Sequence, residues 1–149
     1  MRVDVTVTGT AEVSAALADI GVRVLTETRV AVEKVLGQVA RQERSLLSTG
    51  WHPRGTPTGS VPGSPPWRIS GDLSRSVVVE PATLRGATWT GRIGPTSVYG
   101  RIQELGGWTG AGHRTYLPPR PHLKPAWMIV RPTVRTTFEA AWTKATRPH

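Results

Sequence analysis

The sequence predicts an α+β fold, in which a long N-terminal helix and a C-terminal helix pack on a small antiparallel sheet, with a long Pro/Gly-rich arm. Three observations carry this. Apolar residues recur at alternating spacings of three and four from Val22 to Leu46, the period of one helix face. Half of the eighteen residues from Gly50 to Trp67 are Gly or Pro, which no packed element tolerates. Two Val- and Trp-bearing segments joined by turn residues follow, and helical spacing returns from about His122. At 149 residues, one domain over 1–149 with a modest core is expected.

The elements come in order. Val3, Val5 and Val7 alternate with polar residues and read as a short strand. Thr10 is a candidate cap for a helix bearing Val13, Leu17 and Ile20, which Gly21 interrupts or weakens. The main stripe runs Val22, Leu25, Arg29, Val32, Leu36, Val39, Glu43 and Leu46, backed by Leu47. Arg29 and Glu43 break its apolar character and mark a side facing solvent or another subunit. Gly50 ends the helix. The 50–67 arm reads as a surface loop or as a segment that orders on assembly.

Ser70 or Asp72 is expected to cap a short turn carrying Leu73. Residues Ser76 to Glu80 read as one strand and Ala87 to Gly94 as a second, with Trp89, Gly91 and Ile93 on one face and PATLRG between them as the turn. A short helix begins near Ser97 and ends at Gly106–Gly107. WTGAGHRT reads as a glycine-rich loop. The last helix spans about His122 to Thr143, with Pro125 in its first turn and Trp127, Val130, Val134, Phe138, Ala141 and Trp142 on one face. Pro132 lacks the donor for the Met128 carbonyl and is expected to kink or break it.

Composition narrows the function. No run of eighteen apolar residues occurs, so no membrane partner is expected, and residues 1–10 lack the apolar core of a secretion signal. The chain has no Cys. Its four His, at 52, 113, 122 and 149, lack metal-ligand spacing. No paired acids, nucleophile elbow or phosphate loop is evident. The expectation is a non-enzyme with no catalytic residues, metal or cofactor. Net charge is +9. The first fifty residues balance six cations against six anions, so the excess lies in the rest of the chain. Such a surface attracts nucleic acid or acidic protein. Of the six Trp, Trp89 and Trp127 fall on expected core faces. Trp51, Trp67 and Trp108 fall in loops and are candidate interface residues, because a rigid aromatic ring loses little entropy on contact. Stacking on single-stranded bases is the competing use.

Three segments then follow in a fixed order: Ser70-Gly71-Asp72-Leu73-Ser74-Arg75-Ser76, Tyr99-Gly100-Arg101-Ile102-Gln103-Glu104-Leu105-Gly106, and Arg120-Pro121-His122-Leu123-Lys124-Pro125-Ala126. This succession resembles the neck, or tail-completion, proteins that join head to tail in long-tailed double-stranded DNA bacteriophages. Their segments read Ser/Thr-Gly-x-Leu-x-x-Ser, Tyr-(Ala/Gly)-x-x-x-Glu-x-Gly and Arg-Pro-Phe-(Leu)-x-Pro-Ala. The resemblance spans nearly the whole chain. His122 stands where the family favours Phe, which weakens a buried-anchor role there. The family-motif residues are thus Ser70, Gly71, Leu73, Ser76, Tyr99, Glu104, Gly106, Arg120, Pro121, Pro125 and Ala126.

The resemblance implies a structural virion protein, assembled in the host cytoplasm. It would form a homo-oligomeric ring of six or twelve copies at the head–tail junction. Its neighbours would be a head-closure or connector protein and a tail-terminator or tail-tube protein, with double-stranded DNA passing through the lumen without sequence specificity. A tail terminator or minor tail protein is the nearest alternative. A small basic nucleic-acid-binding domain is the alternative of another class. Pro118, Pro119 and Pro121 are expected to hold their segment extended. Arg120 is expected to clamp Glu104 or a local carbonyl, which would make the segment the joint that aims the last helix.

Overall fold

The computed structural model describes residues 9–55 and 60–147. The strand expected at Val3, Val5 and Val7 lies outside them. The first helix, α1, runs Thr10–Leu46 as a single 37-residue rod, about 55 Å long at 1.5 Å per residue. Thr10 is its first helical residue rather than its cap; Gly9, in the left-handed region, takes that place. Gly21 does not interrupt the rod. It sits in open space, and the surrounding Ala11, Ala15, Ala16 and Ala18 supply the best helix formers against its cost of about 1 kcal/mol. The rod stops at Leu46, before Gly50.

The last helix, α4, spans Leu123–Thr146 and packs antiparallel on α1. The ties run in opposite senses along the two chains: Arg23 Nη1 donates to the Arg147 carbonyl, Trp142 Nε1 donates to Thr28 Oγ1, Lys144 pairs with Glu27, and His122 meets Glu43. The seam is filled by Val35, Val39, Ala126 and Val130, with Leu46, Ile93, Leu123, Val134 and Phe138 around them. Pro132 does not break α4. The Met128 carbonyl it leaves without a donor belongs to a residue that is 53% exposed, where water reaches it, and Val130 and Val134 hold both halves against α1.

Between the helices in sequence, α2 is one turn, Asp72–Arg75; left-handed Gly71 stands at its start, and Ser70 Oγ accepts from the Asp72 N–H at 3.3 Å, the capping contact expected of Ser70. Strands β1 (Val77–Arg85) and β2 (Thr88–Pro95) form an antiparallel hairpin. The PATLR residues lie within β1 instead of forming the turn, which is only Gly86 and Ala87. Gly86 has φ +59, where type II′ hairpin turns place glycine. The register slips between Glu80 and Thr83, so Pro81 and Ala82 oppose Gly91. This bulge accommodates a proline that has no N–H for the ladder. A Cβ on Gly91 would lie 2.4 Å from Leu36 Cδ1. The missing side chain is what lets β2 close on α1. Val77, Leu47 and Ala40 form a second small core on this side, and Ile93 packs against both.

Helix α3 (Val98–Leu105) opens with Ser97 Oγ accepting from the Tyr99 N–H. Glycine-rich WTGAGHRT is not an open loop. It folds as strands β3 (Gly107–Thr109) and β4 (Thr115–Leu117), antiparallel around a 3₁₀ turn at Ala111–His113. Trp108 and Tyr116 pair edge-to-face across them, centroids 5.4 Å apart. Among the described residues, no helix is long and apolar enough to cross a membrane.

The described part of the 50–67 arm lies back on the body. The Arg68 N–H donates to the Gly50 carbonyl and the His52 N–H to the Arg68 carbonyl, and Trp67 packs over Gly50, where any Cβ would collide with the indole. At its far side the Gly63 N–H donates to the Pro119 carbonyl. The arm is therefore a loop closed at its base and clipped to the segment that precedes α4.

Candidate functional site

The three family-motif segments converge at the C-terminal end of α1. The centre is the start of α4. An α-helix leaves its first four N–H groups without internal partners. Here the Glu104 carboxylate, from α3, accepts from the His122 N–H at 2.7 Å, the Leu123 N–H at 2.9 Å and the Lys124 N–H at 2.9 Å. The fourth position is Pro125, which has no N–H. The first internal bond follows at once, from the Ala126 N–H to the His122 carbonyl at 3.2 Å. One remote carboxylate and one proline thus account for the whole helix start, and the negative charge also lies at the positive end of the helix dipole. Burial opposes ionisation of Glu104, but the N–H bonds from His122, Lys124 and Leu123, together with the nearby His122 ring, hold its carboxyl below the usual carboxylate range.

Behind this cap the His122 ring and the Glu43 side chain are both fully buried. His122 Nδ1 lies 2.8 Å from Glu43 Oε1. Nε2 faces Glu104 Oε2 at 3.7 Å, beyond hydrogen-bond reach, and neither it nor Glu43 Oε2 has a hydrogen-bond partner among the described residues. Two expectations are corrected here. Glu43 faces neither solvent nor a second subunit; it belongs to the α1–α4 seam. His122 is a buried anchor after all, held by its hydrogen bond to Glu43 instead of by apolar packing.

Arg120 clamps a carbonyl rather than Glu104. Its guanidinium Nε donates to the Ser60 carbonyl at 3.4 Å, while its own N–H donates to the Gln103 carbonyl at 2.6 Å. Both groups are buried. The segment Pro119–Lys124 is therefore stapled to α3 on one side and to the arm on the other. Pro121 is half-buried, and Ala126 is fully buried in the seam. Gly106 adopts φ 69, ψ 178, a region essentially reserved for glycine. A Cβ there would stand 2.8 Å from Pro119 N and 2.9 Å from the Leu117 carbonyl oxygen.

The remaining motif residues shape a cleft of about 350 Å³ beside this joint. Ser70, Gly71 and Leu73 form one wall, Tyr99 another, and Trp67 and Ile69 the apolar rim, with Arg54 and Arg68 beside them. Ser76 sits underneath. Its Oγ donates to the Leu73 carbonyl and its own carbonyl accepts from the Thr96 N–H, joining α2 to β2. Asp72 is bonded to Ser70 and Arg75, and these contacts hold its carboxyl below the usual range.

Of the candidate interface tryptophans, Trp51, Trp67 and Trp108 are exposed by 60%, 41% and 61%. Only Trp67 lines the cleft. Trp51 pairs beside it through the bridge to Arg68, and Trp108 stands apart on β3 with Val98, Ile102 and Leu105. Trp127, expected in the core, is 41% exposed. The smaller Ala126 and Val130 take the seam because α1 and α4 approach closely there. Trp89 is half-buried, as its place on the β2 face requires.

Among the described residues, no group of three His, Asp or Glu is placed to hold a metal ion. The Glu104 carboxylate is committed to three backbone donors, which fix the start of α4. No protein-family model, curated protein or solved structure matches the chain.

Proposed function

We propose that the chain is a head–tail joining protein of a long-tailed double-stranded DNA bacteriophage, forming the neck or tail-completion ring through which DNA passes. The observation that carries this reading is the convergence of three segments far apart in sequence. Residues 70–76 and Tyr99 wall one cleft, and Glu104 caps the helix that Arg120-Pro121-His122 introduces. A ring subunit needs two rigid, different faces, and the joint supplies rigidity where loops would otherwise dominate.

Exposed apolar side chains support an assembling subunit. Val13, Leu17, Trp51, Val98, Leu105 and Trp108 are each 60% exposed or more, and Trp108, Val98 and Leu105 lie together, the kind of apolar patch that marks a protein interface. The +9 charge suits a DNA-lined lumen.

Native mass spectrometry and negative-stain imaging of the purified chain, alone and with a head-closure partner, test the reading. Closed rings are expected. A monomer in both cases refutes it. Duplex DNA binding that weakens steeply with salt and is indifferent to sequence is expected of the lumen; sequence preference would favour a regulatory nucleic-acid-binding domain.

A further inference from the structure

Among the described residues, the antiparallel seam leaves part of α1 without a partner: the last tie on that side joins Arg23 to Arg147, and Thr10–Val22 runs on beyond it for thirteen residues, about 20 Å. Val13 and Leu17 there are 60% and 62% exposed and, with Ile20, share one face at spacings of four and three. Glu12 and Asp19, seven residues apart, share the flank of that stripe, with Asp19 also paired to Arg23 at 3.0 Å. No cation occurs between Thr10 and Val22. This segment carries −2 within a chain of +9, so the remainder carries +11 (−2 + 11 = +9). The cleft described above has the complementary character, with an apolar rim of Trp67, Ile69, Leu73 and Tyr99 beside Arg54 and Arg68, while the Asp72 that also lines it is paired with Arg75.

The two surfaces cannot meet within one molecule. Leu47 lines the cleft, and Leu17 lies thirty residues earlier along the same rod, about 45 Å away. We infer that the α1 overhang of one copy seats in the Trp67–Tyr99 cleft of the next, apolar stripe to apolar rim and acidic flank to arginines. The contact is heterologous, because knob and hole are different surfaces at opposite ends of one rigid helix, and it repeats from copy to copy until it closes. A symmetric pairing of two overhangs would instead bring Glu12 and Asp19 against their own kind, which costs affinity. This inference rests on the ring reading and names the residues that build the ring.

The absence of native cysteine makes the test direct. Leu17→Cys, Ile69→Cys and the double variant are made in the full chain and oxidised, and each is also examined by native mass spectrometry. The double variant is expected to give a ladder of disulfide-linked multimers ending in one closed species, while each single variant stays uncrosslinked. Dimers from Leu17→Cys alone would overturn the inference in favour of paired overhangs. Intact rings with no ladder would overturn it while leaving the ring reading standing. Monomers throughout would overturn both. As a second measurement, Glu12→Lys with Asp19→Lys is expected to weaken association at least tenfold by sedimentation. Adding Arg54→Glu and Arg68→Glu should restore most of that loss. A loss without rescue would place the overhang against some other surface.

Discussion

Glu104→Ala removes the acceptor for three N–H donors at once. A lost N-cap costs about 0.5–2 kcal/mol when one donor is orphaned. Here His122, Leu123 and Lys124 all donate to the one carboxylate, whose side chain is only 17% exposed, so water replaces little of what is lost. Hydrogen bonds to a charged group contribute about 1.5–3 kcal/mol each, but the three share one carboxylate and do not add in full. We expect a loss of about 3 kcal/mol, or a fall in Tm of about 6–12 °C for a domain of this size. Glu104→Gln keeps one oxygen. Placed where Oε2 now stands, that oxygen retains the bonds to His122 and Leu123, but the amide NH₂ then faces the Lys124 N–H. Its loss should be about half that of the alanine variant. Urea unfolding followed by far-ultraviolet circular dichroism measures both. A loss below about 1 kcal/mol for Glu104→Ala, or equal losses for the two variants, would refute the view that this carboxylate is the cap of α4.

Glu104 also predicts an acid response. Its folded pKa lies below the ordinary value, so its stabilisation is complete above about pH 4.3 and is lost as pH falls through the folded pKa. The stability gap between wild type and Glu104→Gln should therefore shrink in urea titrations from pH 7 to pH 2.5. For the buried pair, Glu43→Leu alone strands the His122 ring and should cost about 3–5 kcal/mol, whereas Glu43→Leu with His122→Phe should recover most of it; a double-mutant cycle with no coupling would show the pair to be independent. Gly91→Ala forces Leu36 aside and should cost about 1–3 kcal/mol, with Leu36→Ala in the same chain restoring part. Gly106→Ala meets backbone and not a movable side chain, and should cost about 3 kcal/mol or more by thermal melting, without such a rescue.

The helices were legible because their signal is local. The three–four spacing from Val22 to Leu46 and the apolar face from Trp127 to Trp142 are properties of neighbouring residues. What stayed hidden depends on contacts between distant ones. Glu43 looked like a fault in an apolar stripe, and His122 like a departure from a motif. Each explains the other, but they are 79 residues apart. A charged residue in an otherwise apolar stripe was the available clue that a buried partner exists. PATLRG reads as a turn by composition, yet the Pro81 bulge and Gly91 let it continue as strand. The helical face that carries Trp127 points it at the core, but the close approach of α1 and α4 admits Ala126 and Val130 instead. Arg120 and Glu104 were both singled out within the joint; their partners are a loop carbonyl and a helix start, which residue type alone does not distinguish.

The pairing of the first helix with the last has a consequence for synthesis. The ties between α1 and α4 span 79 to 124 residues. On the ribosome α1 emerges complete while nearly everything that covers it is still untranslated, and α4 acquires its start only after Glu104 has been placed by α3. Such long-range closure is slow compared with local helix formation, and the waiting chain exposes the apolar stripe of a rod about 55 Å long, which invites premature association. A nascent chain cut short before residue 123 should depend on chaperones, whereas the full chain should release from them once its final two dozen residues clear the exit.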